Sequence, residues 1–482
     1  MRQTNQVYGS TLLRALIACL GLGLIAAVGL SLLLRPEQRK NVLLIVVDTL
    51  RADHLGCYGY PRPTTPHIDA LAETGTLFSR FYTVVPSTLA SFTSFLTSLH
   101  PKDHGTSRNG FTVNRSAPIV SEVFQNSGYE TSAFVSSFCL SSEFGMDRGF
   151  DYFNEEFNKG TSLADNKLIR SARFVTASFL IWLNQRNMEK PFFSMVHYFD
   201  PHWPYSPTQA TMKLFNAHES EPGTEPSFIQ AQENLSASNG IPGEFEKNMH
   251  NLYCAEIRCV DTQIGKILDH LKQMELLEDT IVVFTADHGE TFWEHDDFFN
   301  HGLFVYDTTL HIPLIISNPG WVPDRARSDV LLSSLDLAPT LCDLTGIEVP
   351  AEFQGESFME LLLHGQAPKP AEPLFFAEAT RPPSVEEGAA RPNLNKAKCV
   401  RKGPFKFISV PYTHIPRREL YNLDTDPEER QNLIDDSGYT DLATEMEEAL
   451  RRWANHYRSS DRSENRDAMD SEARNKLNQL GY

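Results

Sequence analysis

Short, wholly apolar stretches alternate along this chain with longer stretches in which apolar residues recur at helical spacing. Asn41 to Val47 reads N-V-L-L-I-V-V, a β-branched run with no polar side after its first residue. Such a run fits a strand buried on both faces, as in a parallel sheet. Ile281 to Thr285 and Phe192 to Val196 are runs of the same kind, and Thr131 to Val135 and Leu314 to Ser317 are further candidates. Between them, 248–274 places Leu252, Ile257, Val260, Ile264, Ile267 and Leu271 near helical spacing. The stretch 436–460 predicts an amphipathic helix with Leu442, Met446, Leu450 and Trp453 on one face. Strand and helix in alternation predict an α/β sandwich with a mostly parallel central sheet. In such sheets ligands gather beyond the carboxyl ends of strands. Asp48, His197 and the pair Asp287-His288 all follow predicted strands, so residues far apart in sequence are expected to converge.

The first residues follow a different pattern. Ala15 to Leu34 is a run of 20 residues without a charge, bracketed by Arg14 and Arg35. That length spans a bilayer as a helix, and no small-residue cleavage site precedes Arg35, which favours an uncleaved anchor over a signal peptide. The expected layout is a flank at 1–14, a transmembrane anchor at 15–34, a catalytic domain at 40–365, a small C-terminal α+β subdomain at 366–435 and a helical, charged tail at 436–482. Lysine and arginine are nearly balanced across the run, so orientation is open. Residues 205–247 and 366–396 are rich in Pro, Glu, Ser and Asn and predict long loops.

Composition narrows the picture. The 482 residues are 41% hydrophobic and carry a net charge of −19, which argues against nucleic acid as a partner. An anionic substrate stays open, because a bound metal supplies local positive charge. The seven cysteines contain no C-x-x-C pair, and Cys254 and Cys259, on a predicted helix, are poorly placed to meet. Most are expected to pack as small hydrophobes, with one or two disulfides open.

Five segments, in order, now carry a resemblance. They are N-V-L-L-I-V-V-D-T-L-R-A-D-H-L-G-C-Y-G-Y from Asn41, L-T-S-L-H-P-K-D-H-G from Leu96, H-Y-F-D-P-H-W-P-Y from His197, T-A-D-H-G-E from Thr285 and E-L-Y-N-L-D-T-D-P-E-E-R-Q-N-L from Glu419. Together they resemble the sulfatases of the alkaline-phosphatase-like superfamily over residues 40 to 435. The resemblance implies a divalent metal ion (Ca, Mg, Mn or Zn), one rather than two, held by Asp48, Asp287, His288 and the Thr88 oxygen. It implies that His202 contacts substrate oxygens or acts as acid. It places His301 where many sulfatases carry a lysine near the substrate. Asn109, 21 residues after Thr88, matches an oxyanion-binding asparagine of phosphonate monoester hydrolases. His197, His295 and Arg51 are nearby and equally suited to supporting roles. A second metal cluster of Asp200, His202 and His301 is the rival arrangement.

The match breaks at one informative place. Sulfatases carry C-x-P-S-R before an L-x-T-G, and anchoring on Leu96-Thr97 puts Thr88 at the nucleophile, Ala90 at the proline and Phe92 at the arginine. Only Ser91 and Thr97 stay on pattern. The other register puts Val84 at the nucleophile, and valine has no such chemistry. In sulfatases a cysteine or serine at this position is oxidised to formylglycine, and a threonine is neither, but a metal-bound secondary alcohol can attack phosphorus. A threonine sulfate lacks the elimination step that releases sulfate from the formylglycine hydrate. Chemistry thus favours a phosphoester and family a sulfate ester. The leading expectation is an extracytoplasmic, single-pass membrane hydrolase of a small-molecule, lipid or glycan ester. A membrane phospho-headgroup transferase and a catalytically silent binding protein of the same fold are the alternatives.

Overall fold

The computed structural model describes residues 39–157, 168–218, 243–296, 300–365, 374–380, 396–411, 417–455 and 471–479. The apolar run 15–34 lies outside the described residues, as do parts of both long loops and of the charged tail. No helix among the described residues is long and apolar enough to cross a membrane.

The apolar run at Asn41–Val47 (β1) is buried at every position and forms the middle of the main sheet. It is flanked by Phe192–Tyr198 (β5) and Thr280–Ala286 (β6), both parallel to it and both wholly buried. The remaining strands are Gly75–Tyr82 (β2), Glu130–Phe134 (β3), Tyr152–Asn154 (β4), His311–Ser317 (β7), Ala326–Ser328 (β8) and Leu332–Ser333 (β9). The order is β4-β3-β5-β1-β6-β7-β2-β8, with β9 also on β2. From β4 to β6 every pairing is parallel, whereas β7 runs antiparallel to both β6 and β2. The sheet is thus mostly parallel, as the apolar runs imply. The reversal at β7 is not visible in Leu314–Ser317, because a buried apolar run reads alike in either direction.

Helices cover the sheet. Pro66–Glu73 (α1), Thr88–Thr97 (α2), Ala172–Gln185 (α3), Gly243–Gln273 (α4) and Leu337–Leu344 (α5) bury their apolar sides against it. The helix predicted at 248–274 is α4, and Leu252, Ile257, Val260, Ile264, Ile267 and Leu271 are all buried. α2 is buried at all ten positions. That explains its run of small and apolar residues, which leaves no polar face for water.

A second, antiparallel sheet joins Phe375–Glu378 (β10), Lys398–Lys402 (β11), Phe405–Val410 (β12) and Arg417–Asn422 (β13). Thr440–Asn455 (α6) lays Met446 and Leu450 on Val400, Phe407 and Leu420 of that sheet, and Trp453 stacks on Phe376 at 5.1 Å. The other face of the sheet packs Ala377 and Cys399 against Val84, Val85 and Ala90, beside the start of α2. The six described cysteines are free.

Candidate active site and metal centre

Sheet register builds the site. Val47 of β1 pairs with Ala286 of β6 and with Tyr198 of β5. The next residues, Asp48 and Asp287, therefore leave adjacent strands side by side, and Asp48 is held there by its N–H, which donates to Tyr198 O at 2.9 Å. His288 follows, and Gly289 lets this loop pass close to its neighbour: a Cβ there would lie 2.0 Å from Thr308 O. Among the described residues, Asp48, Asp287 and His288 form the one group of three acid, histidine or cysteine side chains able to close on a cation. His288 Nε2 lies 3.7 Å from Asp48 Oδ1 and 3.4 Å from Asp287 Oδ2. Asp287 also takes the Thr49 N–H at 3.2 Å, and Thr49, which stands where many sulfatases have a second aspartate, is held at φ +52. A positive φ on a β-branched residue is rare and marks imposed strain.

The charges explain what the group is for. Burial pushes the Asp48 carboxyl well above its usual range, and the neighbouring Asp287 and Glu290 push it further. Asp287 is raised by burial too, partly offset by His288. Burial holds His288 down to about 4. Both Asp48 oxygens and Asp287 Oδ2 are buried without a hydrogen-bond partner among the described residues. Carboxylates packed like this are costly unless a cation joins them. The His288 Nδ1 sits 2.9 Å from Gly289 O. A carbonyl only accepts, so Nδ1 carries the proton and Nε2 turns its lone pair to the carboxylates. Oxygen donors with one imidazole fit a divalent ion such as Mg²⁺, Mn²⁺, Ca²⁺ or Zn²⁺.

Thr88 opens α2 with its Oγ1 3.4 Å from His288 Nε2. Its Oγ1 also faces the positive end of the helix dipole, which favours developing negative charge. Ser91, one turn on, donates to Asp287 O at 2.7 Å and so ties the threonine helix to the carboxylate loop. Val84, the residue of the rejected register, is packed in an apolar cluster with Val305 and Ala377. Asn109 accepts the Leu89 N–H at 2.8 Å, and its Nδ2 is buried without a partner among the described residues.

Three more histidines surround the group. His301 stacks on His288 with ring centroids 4.3 Å apart, and His202 meets His301 edge-on at 5.2 Å. His202 Nδ1 faces Trp203 O, so its Nε2 holds the lone pair. His301 Nδ1 faces Glu290 Oε1 at 3.4 Å. Burial holds His301 down to about 4 and, with His301 beside it, His202 well below its usual value. His197 lies 3.5 Å from Asp48 Oδ2.

Other candidates are turned elsewhere. Asp200 accepts the Ala172 N–H at 2.8 Å, and Asp200, His202 and His301 do not assemble as a second metal cluster. Arg51 binds Asp53 and Glu294. His295 stacks on Tyr306 at 3.6 Å. Sequence reasoning missed Glu290 and Ser91's bond to Asp287. Glu290 belongs to the quoted T-A-D-H-G-E segment, which is the signal that could have found it.

Comparisons with known proteins agree with this architecture. The sulfatase family pattern matches residues 40–347, and that of the C-terminal part of N-sulphoglucosamine sulphohydrolase matches 294–456. The N-acetylglucosamine-6-O-sulfatase of Bacteroides thetaiotaomicron is 24% identical over 520 aligned positions, covering 91% of each chain. A protein solved with its substrate D-glucosamine-2-N,6-O-disulfate superposes with a TM-score of 0.72 at 22% identity, covering 89% of this chain and 100% of the other. The phosphonate monoester hydrolase of Agrobacterium radiobacter superposes with a TM-score of 0.68 at 22% identity, covering 86% and 96%. The first pattern spans more than half of the chain and contains every residue of the metal group, so this protein belongs to the sulfatase family of ester hydrolases.

Proposed function

We propose that this protein hydrolyses a phosphate ester in preference to a sulfate ester, with Thr88 as the nucleophile. The observation that carries the reading is a threonine hydroxyl 3.4 Å from the nitrogen that completes a carboxylate–histidine metal group. A divalent ion held by Asp48, Asp287 and His288 supplies Lewis acidity, lowering the proton affinity of a hydroxyl and offsetting substrate charge. Thr88 gives its proton to water and forms a bond to phosphorus as the bond to the leaving alcohol breaks, while His202, edge-on to His301, contacts a substrate oxygen. His301 passes that alcohol a proton from one ring nitrogen as Glu290, whose carboxyl burial keeps well above its usual range, reprotonates the other. Asn109 Nδ2 donates to a substrate oxygen. Water then opens the phosphothreonine, its proton going to His301, and Thr88 regains a proton from water.

Preference for phosphorus follows from the alcohol. A phosphothreonine is opened by water at phosphorus, whereas a threonine sulfate has no elimination route. Relatives named for a sulfate ester and for a phosphonate monoester both support an ester of this general class. The 20-residue uncharged run at 15–34 is long enough to anchor the protein in a membrane.

A metal-supplemented panel of aryl phosphate mono- and diesters, a phosphonate ester and an aryl sulfate tests the reading. Phosphoester turnover that disappears in Thr88→Ala supports it. Sulfate turnover that survives Thr88→Ala overturns it and points to attack by water.

A further inference from the structure

Two buried histidines address the same carboxylate, Asp48, and hydrogen bonding gives them opposite tautomers. On one side stands His288, whose Nδ1 donates to Gly289 O and whose Nε2 lone pair faces Asp48 Oδ1 at 3.7 Å. On the other side stands His197 of β5, placed there because Val46 of β1 pairs with it in register. Its Nδ1 lies 3.3 Å from the Ser136 nitrogen. A backbone N–H only donates, so His197 Nδ1 spends its lone pair there and the neutral ring carries its proton on Nε2. That Nε2 is buried, is 3.5 Å from Asp48 Oδ2, and has no hydrogen-bond partner among the described residues.

We propose that His197 is a positioning residue for Asp48, its Nε2–H turned toward Oδ2 of a carboxylate that would help hold the cation. The proposal rests on the reading of Asp48, Asp287 and His288 as a metal group. It excludes His197 as a ligand itself. Ligation through Nε2 would move the proton to Nδ1, where it would meet the Ser136 N–H donor to donor.

The seat of the ring supports this role. Ser136 also accepts the Phe199 N–H on its hydroxyl, so one residue holds both the ring and the end of β5. Phe92 closes the remaining side, edge-on to the imidazole at 5.1 Å and 86°. Phe92 stands where the sulfatase pattern has an arginine, so the side chain at that position brings no positive charge. Groups of this kind, which orient a ligand without touching the metal, typically change affinity 10–100-fold when removed.

The test measures Mn²⁺ binding to the full-length protein by calorimetry, in wild type, His197→Phe and His197→Gln, with circular dichroism to check folding. A glutamine amide can present its N–H near the place of Nε2–H. The expected result is a loss of about 10–100-fold in affinity for His197→Phe and near-wild-type affinity for His197→Gln. The imidazole ¹⁵N spectrum of the wild type is expected to assign the His197 proton to Nε2, which keeps the proposal testable if the Phe variant does not fold. Unchanged affinity in a folded His197→Phe, or a proton on Nδ1, overturns the proposal and leaves the metal group intact. Wild-type protein that binds no Mn²⁺ overturns both. Mn²⁺ binding that depends on His197 in a protein without ester turnover sinks the hydrolase reading alone.

Discussion

Thr88 Oγ1 and His288 Nε2 are 3.4 Å apart although 200 positions separate the two residues. Both side chains are fully buried, and Ser91 fastens one residue's helix to the other's loop. The hydroxyl and the carboxylate–histidine group therefore already stand together in this structure.

Replacement of Thr88 separates chemistry from binding. Thr88→Ala is expected to lower kcat/KM on an aryl phosphate by roughly a thousandfold or more. Mn²⁺ affinity is expected to fall far less, because Asp48, Asp287 and His288 remain. Steady-state kinetics and calorimetry on one preparation check both halves.

Removing the cation is expected to act on stability as well as on turnover. A ligand present at a hundred times its Kd stabilises the folded state by about 2.7 kcal/mol. Chelation should therefore lower Tm by a few degrees and abolish turnover, and Mn²⁺ or Zn²⁺ should restore both. In Asp48→Asn the chelator should leave Tm unchanged. Differential scanning calorimetry with and without EDTA decides this.

The loop that carries His301 is locked by its next residue. Gly302 has φ +96, its carbonyl accepts from Thr380 Oγ1 at 2.9 Å, and a Cβ there would meet that oxygen at 2.8 Å. Gly302→Ala is expected to displace His301, lowering kcat on a phosphoester by about tenfold to a hundredfold. Mn²⁺ affinity should stay close to wild type, and an unchanged kcat would remove His301 from the proposed chemistry.

A pH effect on stability is expected at the rim. Burial opposes ionisation of Glu294, yet Arg51, whose Nη1 is 2.6 Å away, holds its carboxyl down to about 2. A carboxyl depressed on folding contributes stability that is complete above its unfolded value near 4.5 and is lost as pH falls toward 2. Glu294→Gln should therefore lose about 1–2 kcal/mol at pH 7. The gap to wild type should shrink between pH 4.5 and pH 2, as read by urea unfolding across that range.

Legibility in the sequence followed burial. β1, β5 and β6 were plain because strands buried on both faces have no polar alternation, and Asp48 and Asp287-His288 stood out because parallel strands deliver residues at one end. Asp48 and the pair Asp287-His288 follow strands, whereas Thr88 and the metal-ligand set came from the resemblance; the structure places the four side chains side by side. The rival cluster failed at Asp200, whose carboxylate satisfies the start of α3 instead. The residues that sequence left blank act through partners: Ser91 through Asp287 O, Glu290 through His301, Ser136 through His197. A serine or glutamate with one distant partner leaves no periodic trace, so only the assembled fold shows its use.

The place of β6 has a consequence for synthesis. β1 emerges from the ribosome early, and its neighbour β6 begins only at Thr280. Until then β1 presents an unpaired apolar edge of Val, Leu and Ile at the centre of the future sheet. Such edges invite pairing with other chains. A nascent chain stalled before Thr280 lacks Asp287 and His288 and so cannot recruit the cation that would stabilise it. The arrival of β6 covers that edge of β1 and brings Asp287 and His288 to the metal group in the same step.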